Sequence, residues 1–169
     1  MRVLVMMVGL PRSGKSTIAN LLRSRYHWPI VCPDSVRLAL TGQPFVRQAE
    51  GFVWATTKVM VRSLFLSGHD RVILDATNLK RRDRDSWYWP KEFLREVHVV
   101  PTSKEVCLER AGEDTALREA IERMAENVDP IHPEEWFRSC DVHTTQQAVG
   151  PVDHIDLNLV LPDPLNTGV

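Results

Sequence analysis

The chain has 169 residues, a net charge of −1 and a hydrophobic fraction of 43%. These values predict a single globular domain with its own core, and they exclude a disordered or fibrous chain. Because basic and acidic residues nearly balance, the chain lacks the overall basic field of many nucleic-acid-binding proteins, and any polyanion site must be a local patch. The three cysteines show neither zinc-site nor disulfide spacing, so we expect reduced thiols in a cytoplasmic protein without a targeting segment or membrane span.

Apolar runs alternate with helical stretches in the first half of the chain, which is typical of β-α-β units in a parallel sheet. The glycine at position 68 is expected to end a long helix, because glycine readily adopts the conformation of a helix C-cap. The predicted elements, in order, are a strand over 2–8, a loop over 9–14, a helix over about 15–26, a short strand over 30–32, a helix within 48–66 and a strand over 71–75.

The second half continues this alternation more weakly. The predicted elements are a charged helix over about 81–94 with a bend at Pro90, a strand over 97–100, a helical stretch over 103–127 interrupted near 111–113, a weaker strand within 152–161 and a frayed tail over 161–169. Asp114 or Thr115 is expected to cap the second part of the interrupted helix. We therefore predict an α/β domain over residues 1–160, with a central parallel sheet of four to five strands and helices on both faces.

A phosphate-binding loop follows the first predicted strand. Residues 9–17 read Gly-Leu-Pro-Arg-Ser-Gly-Lys-Ser-Thr and match G-x-x-x-x-G-K-[ST], whose backbone N–H groups surround phosphates at the positive end of a helix. Lys15 would reach the β- and γ-phosphates of ATP, and the Ser16 hydroxyl would bind Mg²⁺. The alternative is an ordinary glycine turn before a helix. The residues predicted to bind the nucleotide are Gly9, Arg12, Ser13, Gly14, Lys15, Ser16 and Thr17.

Two aspartates follow the next two predicted strands. Asp34 follows the strand over 30–32, and Asp75 ends the strand over 71–75. Since ligands bind at the carboxyl ends of parallel strands, both should converge on the phosphate loop. Asp75 is a candidate Mg²⁺ ligand, and Asp34 is a candidate general base for phosphoryl transfer to a hydroxyl. The alternatives are that Asp34 only caps a helix beginning at Ser35 and that Asp75 is a turn residue.

Three motifs in order resemble the kinase module of the polynucleotide 5′-kinase family, of the phage and bacterial end-healing type. They are the loop over 9–17, the segment Pro33-Asp34-Ser35-Val36-Arg37, and Asp75-Ala76-Thr77-Asn78 with Arg81-Arg82 close behind. The resemblance covers about residues 3–128. It implies a three-layer P-loop kinase fold with a small helical lid over about 103–128, acting with ATP and Mg²⁺ on nucleic-acid 5′-hydroxyl ends in a bacterial or phage-infected cell.

The resemblance also implies roles for individual residues. Asp34 would be the general base, and Arg37 would bind the phosphate next to the acceptor hydroxyl. Arg110 is the nearest match to a catalytic lid arginine over the ATP phosphates, with Arg118 as the second choice. The lid departs from the family, because Arg110-Ala111-Gly112-Glu113-Asp114 contains two acids where several arginines usually lie. Further substrate-binding residues implied by the resemblance are Thr77, Asn78 and Arg81.

The basic segment 80–84 precedes the aromatic residues Trp87, Tyr88 and Trp89. Such a combination is typical of a groove for single-stranded nucleic acid, but it also suits a helix with a solvated charged face and a buried aromatic face. We interpret Asp83-Arg84-Asp85 as part of such a solvated face. Three functions remain open: a nucleic-acid 5′-hydroxyl kinase, a kinase for a nucleoside, sugar or other small metabolite, and a non-enzymatic nucleotide-binding regulator. DNA or RNA preference and the oligomeric state are also open.

Overall fold

The computed structural model describes residues 1–89, 92–135 and 137–143, and the backbone of 153–155. Short 3-10 turns at Arg47–Ala49 and Pro133–Glu135 supplement the regular elements. The strands are β1 (Val3–Val8), β2 (Ile30–Val31), β3 (Arg71–Leu74), β4 (Leu94–Val99), β5 (Ser139–Val142) and β6 (Asp153–Ile155). The helices are α1 (Lys15–Tyr26), α2 (Pro33–Thr41), α3 (Glu50–Leu66), α4 (Arg81–Asp85), α5 (Lys104–Ala111) and α6 (Thr115–Ala125).

The strands form one sheet in the order β2-β3-β1-β4-β5-β6. The first five of these run parallel, and β6 pairs antiparallel with β5. The predicted α/β fold with a parallel sheet is thus confirmed. Because β1 lies between β3 and β4, the loop after β1 is flanked by the segments that follow the neighbouring strands, which is where ligands bind in such sheets.

Both faces of the sheet are covered. Alternate residues of β1 contribute to two hydrophobic clusters, with Leu4, Met6 and Val8 on one face and Val3, Val5 and Met7 on the other. Residues of α3, α5 and α6 complete the first cluster, and residues of α1 complete the second. A strand that is apolar at every position is what burial on both faces requires. The result is the predicted three-layer arrangement.

The prediction of a charged helix over 81–94 is wrong in the length of the helix. The α4 helix ends at Asp85, and Leu94 already begins β4. Trp87 and Phe93 are buried in the core, and the bend predicted at Pro90 lies outside the described residues. The β4 strand starts earlier than the predicted 97–100 because Arg95 and Glu96 are buried with partners, so their charges do not end the strand.

Three further differences from the sequence analysis concern α2, β5 and β6. The α2 helix begins at Pro33 with Cys32 as its N-cap, so Asp34 lies in the first turn and does not cap a helix from Ser35. The β5 strand was not predicted, because its sequence Ser-Cys-Asp-Val is short and polar. The weak strand predicted within 152–161 corresponds in part to β6, and the predicted tail over 161–169 lies outside the described residues.

The interrupted helical stretch is confirmed as two helices, α5 and α6, and Asp114 caps α6 by accepting a hydrogen bond from the Leu117 amide. Among the described residues, no helix is both long and apolar enough to cross a membrane.

The cysteines at positions 32, 107 and 140 are free thiols, as expected.

Candidate active site

The loop between β1 and α1 is held in a shape that leaves no room for a side chain at its first glycine. A Cβ atom on Gly9 would lie 2.8 Å from the Val100 carbonyl oxygen and 2.8 Å from Ser13 Oγ. Gly14 has a φ of 106°, a conformation that favours glycine, directly before α1. The Ser13 carbonyl accepts a hydrogen bond from Thr102 Oγ1 at 2.7 Å, which fixes the loop against the segment after β4.

The loop fits a phosphate group. In the described part of the chain, the backbone N–H groups of Gly14, Lys15 and Ser16 donate to no protein acceptor, as expected at the first turn of a helix. They lie at the positive end of α1, where an anion is stabilised. The Ser13 hydroxyl is buried and has no hydrogen-bond partner among the described residues. These unpaired donors are what the phosphates of ATP require.

Lys15 and Asp75 lie close together at the base of this loop. Lys15 is buried, and its ammonium donates to the Leu10 carbonyl at 2.7 Å. Burial lowers the pKa of Lys15, and the Asp75 carboxylate is the largest opposing influence. Burial raises the pKa of Asp75, against which a hydrogen bond from Ser16 and the charge of Lys15 act. A phosphate bound beside Lys15 would favour its charged form.

Ser16 and Asp75 would hold Mg²⁺ at this point. Their side chains share a hydrogen bond, and hydroxyl and carboxylate oxygens suit this hard cation. No group of three or more His, Cys, Asp or Glu side chains in the described ranges is arranged to hold a metal ion alone. Since Mg²⁺ is usually bound through one or two carboxylates together with substrate phosphates, this pair fits the ion when ATP is present.

Asp34 faces the same edge of the sheet from the first turn of α2. Its side chain is 76% exposed and accepts a hydrogen bond of 2.6 Å from Arg37 Nη1. The charge of Asp34 acts on the pKa of both Lys15 and Asp75, so the two predicted aspartates and the loop lysine come together as expected. A solvent-accessible carboxylate fixed beside a phosphate loop can accept a proton from a bound hydroxyl.

Glu50 and Trp54 complete the surroundings of Arg37, and the sequence analysis did not identify them. Both oxygens of Glu50 accept hydrogen bonds of 2.7 Å from Arg37, from Nε and Nη2, and the Trp54 ring lies 5.8 Å from its guanidinium carbon. The bonds to Glu50 raise the pKa of Arg37 and lower that of Glu50. Arg37 is thus held on one edge by Glu50, and its Nη1 edge faces Asp34.

The two candidate lid arginines lie in different places. Arg110 Nη1 donates to the Arg12 and Ser13 carbonyls at 3.2 and 3.3 Å, so it touches the phosphate loop from α5. Arg118 Nη1 donates to the Leu108 and Gly112 carbonyls at 2.8 and 3.2 Å and joins α5 to α6. Of the two, only Arg110 reaches the loop in this structure.

The other implied substrate-binding residues have mostly structural contacts. Asn78 is 3% exposed, and its Nδ2 donates to the Met7 carbonyl at 2.8 Å. The Thr77 carbonyl accepts the Gly9 N–H at 3.1 Å. Arg81 forms ion pairs with Asp85 at 3.4 Å and Glu134 at 3.7 Å. Thr77 and Asn78 thus tie the segment after β3 to β1 and its loop.

Arg84 corrects the interpretation of Asp83-Arg84-Asp85 as a solvated face. Its side chain is fully buried and forms a two-bond ion pair with Glu135, at 2.6 Å from Nε and 2.7 Å from Nη2. The remaining guanidinium N–H groups donate to backbone carbonyls, those of Asn78, Leu79, Asp129 and Pro130. Burial is possible because every donor of this fixed charge has an acceptor.

A family model matches most of the chain. The model of the AAA_33 family, described as an AAA domain, matches residues 4–131, which include the phosphate loop, Asp34, Asp75 and Arg110. No curated protein matches the chain.

Several solved structures share the fold. A gluconokinase from Sinorhizobium meliloti is 18% identical, with a TM-score of 0.54, over 83% of this chain and 81% of that one. A structure of the Pnkp1/Rnl/Hen1 complex is 27% identical, with a TM-score of 0.59, over 64% of this chain and 38% of that one. A structure of the Pnkp1/Rnl/Hen1 RNA repair complex is 20% identical, with a TM-score of 0.57, over 76% and 46%. The fold is that of P-loop phosphotransferases.

Proposed function

Because the chain belongs to the AAA_33 family, we propose that it is an ATP-dependent kinase that transfers the γ-phosphate of ATP to the 5′-hydroxyl of a nucleic-acid end. The observation that carries this proposal is the Asp34–Arg37 pair beside the phosphate loop. Asp34 is an exposed carboxylate, and Arg37 lies 2.6 Å from it with an Nη1 group directed toward the same space. A hydroxyl next to a phosphate, as at a nucleic-acid 5′ end, fits one acceptor and one cation at this spacing.

In the proposed reaction, Asp34 accepts the proton of the 5′-hydroxyl while the oxygen of that hydroxyl forms a bond to the γ-phosphorus of ATP. The bond between that phosphorus and the β–γ bridging oxygen breaks, and its electron pair leaves on ADP. Lys15 and the free N–H groups at the start of α1 stabilise the charge on the transferring group. Mg²⁺ held by Ser16 and Asp75 would supply further charge neutralisation when bound. Because Asp34 is 76% exposed, it can release its proton to solvent.

Arg110 is proposed to assist from α5. Its guanidinium already contacts the carbonyls of Arg12 and Ser13 in the phosphate loop. A short movement of the side chain from these neutral acceptors to a phosphate oxygen would exchange ordinary hydrogen bonds for charge-assisted ones. This makes Arg110, rather than Arg118, the proposed catalytic arginine of the helical lid over about 103–128.

A kinase for a small metabolite is the second candidate. The likeness to the gluconokinase covers more than four fifths of both chains, whereas the likeness to the Pnkp1/Rnl/Hen1 complex covers 38% of that chain. A nucleotide-binding regulator is less well supported, since binding alone needs no carboxylate at the position of Asp34.

One labelling experiment separates these candidates. The protein is incubated with γ-labelled ATP and Mg²⁺ and, in parallel, with a 5′-hydroxyl oligonucleotide, a nucleoside 3′-monophosphate, a nucleoside and gluconate. We expect label on the oligonucleotide and the nucleoside 3′-monophosphate. Label on gluconate or the nucleoside alone would replace our proposal by the metabolite kinase. ATP binding without label on any acceptor would favour the regulator.

A further inference from the structure

A cleft of about 360 Å³ lies between α3 and α4, lined by Trp54, Lys58, Arg82, Asp83 and Ser86. We infer that this cleft binds the second phosphate-bearing nucleotide of a nucleic-acid acceptor, with Lys58 as the phosphate ligand. The inference rests on the proposed function and extends it, because it distinguishes a polynucleotide from a single nucleotide as the acceptor.

The cleft is connected to the catalytic groups through one side of α3. Glu50, Trp54 and Lys58 are spaced four residues apart and therefore share a face of the helix. Glu50 and Trp54 both contact Arg37, which contacts Asp34. At 1.5 Å per residue, Lys58 lies about 12 Å along the axis from Glu50. Lys58 is therefore assigned to a phosphate beyond the one beside Arg37.

The chemistry of the lining suits a phosphate beside a planar base. Lys58 is half-buried, and no carboxylate within 1–89, 92–135 or 137–143 forms an ion pair with it. Its ammonium lies 5.7 Å from the Trp87 ring and 5.6 Å from the Trp89 ring, so aromatic faces position it without neutralising it. Trp54 offers a ring for base stacking, as aromatic side chains do in single-strand grooves.

The second cation of the cleft, Arg82, is more exposed than Lys58. The Arg82 side chain is 84% exposed, and its only ion pair in the described structure is with the adjacent Asp83 at 3.4 Å. Asp83 is the single carboxylate of the lining and opposes an anion. Two cations against one carboxylate leave a net positive cleft, in a chain whose overall charge is −1. The local patch that a polyanion requires is therefore present here.

The test compares Lys58→Gln with wild type and with Arg23→Gln, which removes an exposed positive charge at the end of α1 outside the cleft lining. The KM for a 5′-hydroxyl hexanucleotide should rise at least tenfold in Lys58→Gln, while the KM values for a nucleoside 3′-monophosphate and for ATP stay within twofold. Arg23→Gln should match wild type, and Lys58→Arg should restore most of the affinity. A thermal melt establishes that each variant is folded.

Binding provides a readout that does not depend on turnover. Anisotropy of a 3′-labelled hexanucleotide is measured over a series of salt concentrations, and the slope of log K against log salt should be shallower by about 0.7 in Lys58→Gln, as expected for the loss of one phosphate contact to a single strand. Equal KM losses for both acceptors, or an unchanged slope and KM, would overturn the cleft assignment. Binding that depends on Lys58 without phosphorylation of the oligonucleotide would support the cleft assignment and reject the proposed kinase reaction.

Discussion

Replacing Asp34 by Asn separates proton acceptance from every other role of this side chain. The Asn oxygen can still accept the hydrogen bond from Arg37 Nη1, which is 2.6 Å long in the wild type. Asp34 is not the N-cap of α2, so no capping bond is lost. What disappears is the negative charge in the first turn of the helix and the ability to take a proton.

The expected effects on stability and on turnover differ strongly in size. The side chain of Asp34 is 76% exposed, so its ion pair and its interaction with the helix dipole together contribute less than about 1 kcal/mol. For a chain of this length that corresponds to a fall in Tm of about 2–4 °C or less. General base catalysis contributes about 10²–10⁴-fold, and a loose transition state needs the least help, so we expect a loss of about 10²-fold, or about 3 kcal/mol of barrier.

Single-turnover kinetics with saturating ATP and a 5′-hydroxyl oligonucleotide measures the loss, and thermal melts with and without ATP and Mg²⁺ measure donor binding. Asp70→Asn is the matched control, because Asp70 is exposed and precedes β3, at the opposite edge of the sheet. Donor binding should be retained in both variants. Turnover of Asp34→Asn within about threefold of wild type would refute the general-base assignment.

Lys15→Ala should lower turnover by at least about 10²-fold, because it removes a charge that stabilises the transition state. It should not lower Tm, because that charge is buried. Stopped assays and thermal melts check both expectations, and wild-type turnover would contradict the first. Arg84→Met should cost about 3–5 kcal/mol of unfolding free energy by leaving Glu135 buried and unpaired. Urea unfolding should show partial recovery in the Arg84→Met/Glu135→Met double variant, and a double variant as unstable as the single one would contradict this explanation. Arg37 lowers the pKa of Glu50 in the folded chain. The contribution of this ion pair to stability is therefore fully present above the pKa of Glu50 in the unfolded chain and is lost as the pH falls through its pKa in the folded chain. Glu50→Gln should therefore be less stable than wild type at pH 7, and the difference should shrink as the pH falls below the ordinary pKa of a glutamate, about 4.3, and vanish once the pH lies below the lowered pKa of Glu50; a difference that is constant with pH would refute this.

The phosphate loop and the two strand-end aspartates could be predicted because the information is local. A contiguous motif specifies the loop, and parallel strands bring their carboxyl ends to one edge wherever they lie in the sequence. The convergence of Lys15, Asp34 and Asp75 therefore followed from the parallel direction of the strands.

Glu50, Trp54 and Lys58 could not be assigned in the same way. They lie in the apolar α3 helix, and which of its faces is exposed depends on how it packs against α2 and the sheet. The burial of Arg84 was equally hidden, because its carboxylate partner lies 51 residues further along the chain. The sequence of a charged segment does not show whether its cation is exposed to solvent or paired with a carboxylate far along the chain.

The enclosed contacts of Arg84 have a consequence for where this domain can be cut. The guanidinium binds the carbonyls of Asn78 and Leu79, which belong to the segment that supports the phosphate loop, and it is neutralised by Glu135. The AAA_33 match ends at residue 131. A fragment trimmed to that match would retain every proposed catalytic side chain. It would, however, leave the buried Arg84 guanidinium without its carboxylate partner, next to the segment that follows β3. A fragment that keeps this ion pair therefore extends at least as far as Glu135, and the segment after α6 supports the segment after β3 through Arg84.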